Sequence, residues 1–70
     1  MMTIEDYRVK LGWTKARLAR EAGIDPGTLA DAIAGKRIYK ATAGKIANAL
    51  SSALGQEITY KDIAGLNLAD

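Results

Sequence analysis

The densest chemistry in the chain lies between Lys36 and Lys40, where Lys36, Arg37 and Lys40 surround Ile38 and Tyr39. Cations at this density bind anions, and a guanidinium can also form paired hydrogen bonds with a phosphate or with the edge of a guanine. Tyr39 either donates its phenolic hydrogen to a phosphate or packs beneath this basic loop as core. Other chemistries are closed off. With no Cys and no His, a disulfide frame, a zinc finger and any Ser-His or Cys-His nucleophile pair are excluded. Glu5 and Asp6 are adjacent rather than facing, and no Gly-rich phosphate loop follows a strand. The chain is therefore read as a non-enzyme, with no catalytic residue, no metal, no cofactor and no small-molecule effector evident.

Charge distribution supports an anionic partner. The net charge is only +2, but residues 1–40 carry eight Lys and Arg against five Asp and Glu, a balance of +3, whereas residues 41–70 carry two against three, a balance of −1. A basic half beside a faintly acidic half suggests one face meant for an anion, most commonly nucleic acid. No apolar run approaches the ~20 residues of a membrane span, and no signal-peptide pattern is present. A soluble, cytoplasmic protein is the expectation.

These residues must be positioned by a small scaffold. Seventy residues sustain one domain and one core, because a chain of this size buries only ~60% of the surface that its unfolded form exposes. With no Phe and one Trp, the core must come from Leu, Ile, Val and many Ala, which favours closely packed helices. Helix signals recur five times. Thr3 caps a first helix with Asp6 three residues on, and Gly12 ends it. Thr14 caps a second, with Trp13 and Leu18 as a hydrophobic staple and Gly23 as its left-handed stop. Asp25 caps a third that starts at Pro26, where a missing N–H costs nothing. Ile24 and Leu29 staple it, and Gly35 stops it.

Only Gly23, Ile24 and Asp25 link the second helix to the third, which forces the tight corner of a helix-turn-helix. Thr42 is expected to cap a fourth helix carrying the stripe Ile46, Ala47, Leu50, Ala53 and Leu54. Thr59 with Asp62 is expected to cap a short fifth, stapled by Ile58 and Ile63 and stopped by Gly65. Nothing alternates long enough to predict a sheet. The fold class is thus all-α, five helices in one domain over residues 1–70, with the core at about 4–66 and a short tail over 67–70.

The run from Leu18-Ala19 through Gly23-Ile24-Asp25 to Thr28-Leu29 and Gly35-Lys36 resembles the lambda repressor and Cro-like helix-turn-helix family, often called XRE. Lys45-Ile46-Ala47-Asn48-Ala49-Leu50 is similar to the fourth helix of that family, and Tyr60-Lys61-Asp62-Ile63 to its fifth. The resemblance covers roughly residues 4–66. It implies that the start of the third helix enters the major groove and the start of the second meets a phosphate. Lys15 then occupies the phosphate position, while Pro26, Gly27, Thr28 and Asp31 fall where bases are read. Here the chain departs from the pattern. Pro26 and Gly27 have no side-chain donor or acceptor for the bidentate contacts that discriminate bases. Thr28 retains a hydroxyl and a methyl, and Asp31 either accepts from a cytosine amine or is a surface acid without a partner.

Lys36, Arg37, Tyr39 and Lys40 then become candidate phosphate contacts, with Arg17 of the second helix either a further one or a solvated charge. The expected function is sequence-specific double-stranded DNA binding by a small transcriptional regulator, a repressor of phage or mobile-element type that works as a homodimer. Ile63, Leu66 and Leu68 are the dimer candidates, unless Leu66 and Leu68 fold back onto their own core. The alternative is a helix-turn-helix used as a protein-binding module, an adaptor or antitoxin-like subunit.

Overall fold

The computed structural model describes residues 1–69; Asp70, the last residue of the expected tail, lies outside them. The chain runs β1 (Met2–Thr3), α1 (Ile4–Leu11), α2 (Lys15–Ala22), α3 (Pro26–Ile33), β2 (Arg37–Tyr39), α4 (Lys40–Leu54), a 3-10 turn at Tyr60–Asp62, β3 (Ile63–Ala64) and β4 (Asn67–Ala69). Among the described residues there are four α-helices, rather than the five expected. The chain also carries two short parallel strand pairs, so it is mainly helical rather than all-α.

The first three helices begin and end where their side chains dictate. Thr3 and Asp6 form a reciprocal capping box: the Asp6 N–H donates to Thr3 Oγ1 at 3.1 Å and the Thr3 N–H to Asp6 Oδ2 at 2.9 Å. Two of the otherwise unpaired donors of the first turn are thereby satisfied. Arg8 then ties α1 to the connection that precedes α2. It donates to Glu5 Oε1 at 2.6 Å and to the Trp13 carbonyl at 2.8 Å. Thr14 Oγ1 accepts the Arg17 N–H at 3.0 Å, fixing the start of α2. Trp13 and Ile24 are half-buried against the core beside fully buried Leu18 and Leu29, as the two staples require.

The later elements depart from the expected pattern. Helix α4 starts at Lys40 after Tyr39, which provides no side-chain cap, so Thr42 lies inside the helix and is not its cap. Tyr39 is the last residue of a strand, and its extended backbone delivers the chain directly into the helix. The α4 stripe is buried at Ala43, Ile46, Ala47 and Leu50, whereas Ala53 is exposed. The Thr59 and Asp62 capping box is present, but the helix it opens is a single 3-10 turn. It stops because Ile63 and Ala64 pair with Met2 and Thr3 in parallel, which needs extended backbone. Ser51 secures the approach to this turn, accepting the Ile58 N–H and donating to the Ile58 carbonyl, both at 2.8 Å.

The segment expected to be a basic loop is strand β2. It pairs in parallel with β4, matching Arg37 to Asn67, Ile38 to Leu68 and Tyr39 to Ala69. Residues 67–69 are accordingly a structural strand and not a loose tail. One core unites these elements, built from Leu18, Leu29, Ile46 and Leu50 at its centre with Ile4, Tyr7, Ile38, Ile58 and Ile63 around them. No polar or charged side chain is buried among the described residues.

Candidate nucleic-acid interface

The corner between α2 and α3 is assembled from backbone geometry. Gly23 adopts φ +70°, the left-handed region that a Cβ penalises. This turns the chain so that the Ile24 N–H donates back to the Ala19 carbonyl at 3.0 Å and the Gly23 N–H to that of Arg20 at 3.1 Å. Both bonds satisfy carbonyls that the end of α2 would otherwise leave unpaired. Ala19, whose carbonyl accepts the Ile24 bond, is itself buried in the core.

Asp25 then starts α3. Its Oδ1 accepts the Gly27 N–H at 3.0 Å and its Oδ2 accepts the Thr28 hydroxyl at 2.6 Å. The Thr28 hydroxyl, followed by the Thr28 and Gly27 amides, holds the Asp25 carboxyl below the usual carboxylate range. This cap has a consequence for recognition. Thr28 is the one hydroxyl on the helix that resemblance places in the groove, and its hydrogen already points at Asp25.

Asp31 is also engaged. Lys36 Nζ lies 3.6 Å from Asp31 Oδ1, and the Lys36 N–H donates to the Asp31 carbonyl at 2.9 Å. The ion pair is exposed, so water screens it and its contribution to stability is slight. Its geometric effect is larger, because it holds the chain after α3 against the end of that helix. Of the four positions expected to read bases, Pro26 and Gly27 are exposed without polar side chains, and Thr28 and Asp31 have internal partners.

The expected phosphate contacts are brought to separate places. Lys15 is exposed at the first position of α2, directly after the Thr14 cap, where backbone N–H groups also favour an anion. Arg17 sits one turn deeper, its guanidinium carbon 4.8 Å from the centre of the Trp13 ring and its Nε 3.9 Å from Glu21. It covers the staple as well as facing solvent. On β2, strand alternation turns Ile38 inward, 6% exposed, and leaves Arg37 and Tyr39 on the outside. Tyr39 is 72% exposed, so it does not pack beneath the segment as core. Strand β2 adjoins α3, and Lys40 follows immediately at the start of α4. Among the described residues, neither Lys15 nor Arg37 has a carboxylate within ion-pair distance.

A family model described as Helix-turn-helix matches residues 4–60, which spans both helices of the corner, β2 and α4. The chain belongs to the lambda repressor-like helix-turn-helix family. This is a family of DNA-binding regulators. No curated protein and no solved structure matches the chain. The family match ends at residue 60, before β3 and β4.

The residues considered for self-association lie largely inward. Ile63 is 4% exposed and belongs to the core, while Leu66 and Leu68 are half-buried and pack against it. The two leucines fold back, as one of the two readings anticipated. Sequence reasoning missed the β2–β4 pair altogether. Its one signal was the apolar Ile38 between exposed neighbours, a three-residue alternation too short to distinguish from a loop. A shallow open groove of about 440 Å³ runs between α2 and α4, along Trp13, Glu21, Lys45 and Asn48. Among the described residues, no helix is long and apolar enough to cross a membrane.

Proposed function

We propose that this helix-turn-helix protein binds double-stranded DNA in a sequence-dependent manner and regulates transcription, as a repressor that occludes promoter DNA. One observation carries the reading. The exposed start of α3 lies in a family-defined corner, with cationic Lys15 on α2 and Arg37 on the adjoining strand β2. In this reading Lys15, Arg17, Lys36, Arg37, Tyr39 and Lys40 meet phosphates, and Pro26, Gly27, Thr28 and Asp31 lie closest to the bases. A helix start with small side chains approaches the groove floor closely. Shape, deformability and methyl contacts then dominate over hydrogen-bonded base reading. A single module of this size buries too little surface for tight specific binding, so two copies on a two-fold related site are expected. A phage or mobile-element setting and a cytoplasmic location belong to the same proposal.

The test is a salt titration of duplex binding. Affinity falls steeply with salt, with a slope of about −0.9 per phosphate contact, and replacing Lys36 and Arg37 together with Ala shrinks the slope by about two contacts. An absence of duplex binding even at low salt overturns the reading.

A second reading has its own support. Both polar side chains of α3 have partners within the chain: the Thr28 hydroxyl donates to Asp25 and Asp31 is ion-paired with Lys36. A helix so arranged suits contact with a partner protein, as an adaptor or antitoxin-like subunit. The same titration separates the two, because protein docking leaves no salt-dependent duplex binding to measure.

A further inference from the structure

We propose that Asn67–Ala69 is a positioning strand for the interface, holding Arg37 and Tyr39 in the extended, same-side arrangement in which they can meet DNA together. The inference rests on the duplex-binding reading and deepens it by assigning a role to residues outside the family match, which ends at residue 60.

Arg37 and Tyr39 share one side only because the backbone between them is extended, with Ile38 turned inward. A three-residue strand does not hold that conformation alone. Its backbone partner is β4, in register from Arg37–Asn67 to Tyr39–Ala69. Leu68 lies opposite Ile38, and both pack against the core, so an apolar pair pins the register from beneath. The Asn67 side chain adds a bond from Nδ2 to the Gly35 carbonyl at 3.4 Å, at the turn where the chain leaves α3. Gly35 makes this turn with φ +80°, a conformation that other residues enter only with strain. With β4 detached, Arg37 and Tyr39 lose the backbone ladder and sit on a connection tied only by buried Ile38, by the Gly35 N–H to the Ala32 carbonyl and by the Lys36 contacts to Asp31. Their side chains then incur a larger ordering cost on meeting phosphates, and contacts are lost.

The test compares salt titrations of duplex binding by the full chain and by Leu68→Gly, Leu68→Ile and Arg37→Ala, with folding checked by circular dichroism and amide spectra. Leu68→Gly lowers the slope by as much as Arg37→Ala does, about 0.9 per phosphate contact. Leu68→Ile, which keeps an apolar strand former, restores the slope. The double variant of Arg37→Ala with Leu68→Gly shows no further drop. If Leu68→Gly does not fold, Asn67→Pro replaces it. That exposed position lies outside the core, and proline removes both a backbone donor and the bond to Gly35. A folded strand variant with the slope of the parent chain overturns the proposal while leaving duplex binding intact. Absence of duplex binding by the parent chain overturns the DNA reading itself, and the positioning role with it.

Discussion

Helix α3 and strand β2 adjoin, yet they are held by opposite means. Helix α3 is fixed by its near neighbours in sequence: the Gly23 turn, the Asp25 cap, Pro26 at the first position and the Ile24 and Leu29 staple. Strand β2 is fixed by residues some thirty positions away, through pairing with Asn67–Ala69. They also present different chemistry. The helix offers backbone and small side chains, with Thr28 hydrogen-bonded to Asp25 and Asp31 ion-paired with Lys36, while the strand offers an arginine and an exposed tyrosine. The rigid element lacks long reading side chains, and the element that has them depends on a distant strand for its shape. Geometry and affinity are thus supplied by different parts of one surface.

The contrast is most severely tested at Leu29, the 1% exposed anchor of α3. Leu29→Ala should cost about 2–5 kcal/mol, since a buried leucine loses both its transfer energy and its packing. In a domain this small that lowers Tm by more than about 8 °C. A change under about 1 kcal/mol by urea unfolding would mean that α3 is not held through this residue. Gly23→Ala comes next. Its left-handed φ of +70° makes an added Cβ cost about 1–2 kcal/mol, although open space surrounds it. An unchanged urea midpoint would show that the corner can relax. Thr14→Ala removes the hydroxyl that accepts the Arg17 N–H and should cost about 1 kcal/mol. The loss should register in the melting curve and leave the β2–β4 amide shifts untouched. A shift there would couple the two regions.

The smallest effect is that of pH. Asp25 is held below the usual range by the Thr28 hydroxyl and neighbouring amides, and Glu5 by the hydrogen bond from Arg8. A carboxyl with a depressed folded pKa contributes fully above its unfolded value, and that contribution disappears as pH falls through the folded one. Tm should therefore decline as the solution is acidified through and below the ordinary carboxylate range. Thr28→Val removes the hydroxyl that does most to depress Asp25 and should flatten part of that decline. A Tm profile identical to that of the parent chain would show that the Thr28 hydroxyl does not set the Asp25 carboxyl.

The sequence alone settled the local decisions. Thr3, Thr14 and Asp25 fixed where α1, α2 and α3 begin, and Gly12 and Gly23 fixed where the first two end, because capping and left-handed turns act within a few residues. The family, the corner and the weak complement of reading groups on α3 were legible from the same residues. The basic cluster after Gly35 was visible as composition but not as a strand. Tertiary structure decided what no local rule reaches. Thr59 and Asp62 form the expected box, yet pairing with Met2 and Thr3 cuts the helix to one turn. Thr42 is bypassed because β2 delivers the chain into α4 at Lys40. Leu66 and Leu68 fold inward because β4 has a partner in Arg37–Tyr39. Each of these outcomes comes from strand pairing across a long stretch of chain. Such pairing is selected by what the folded core brings together, and neither strand carries enough periodicity to announce its partner.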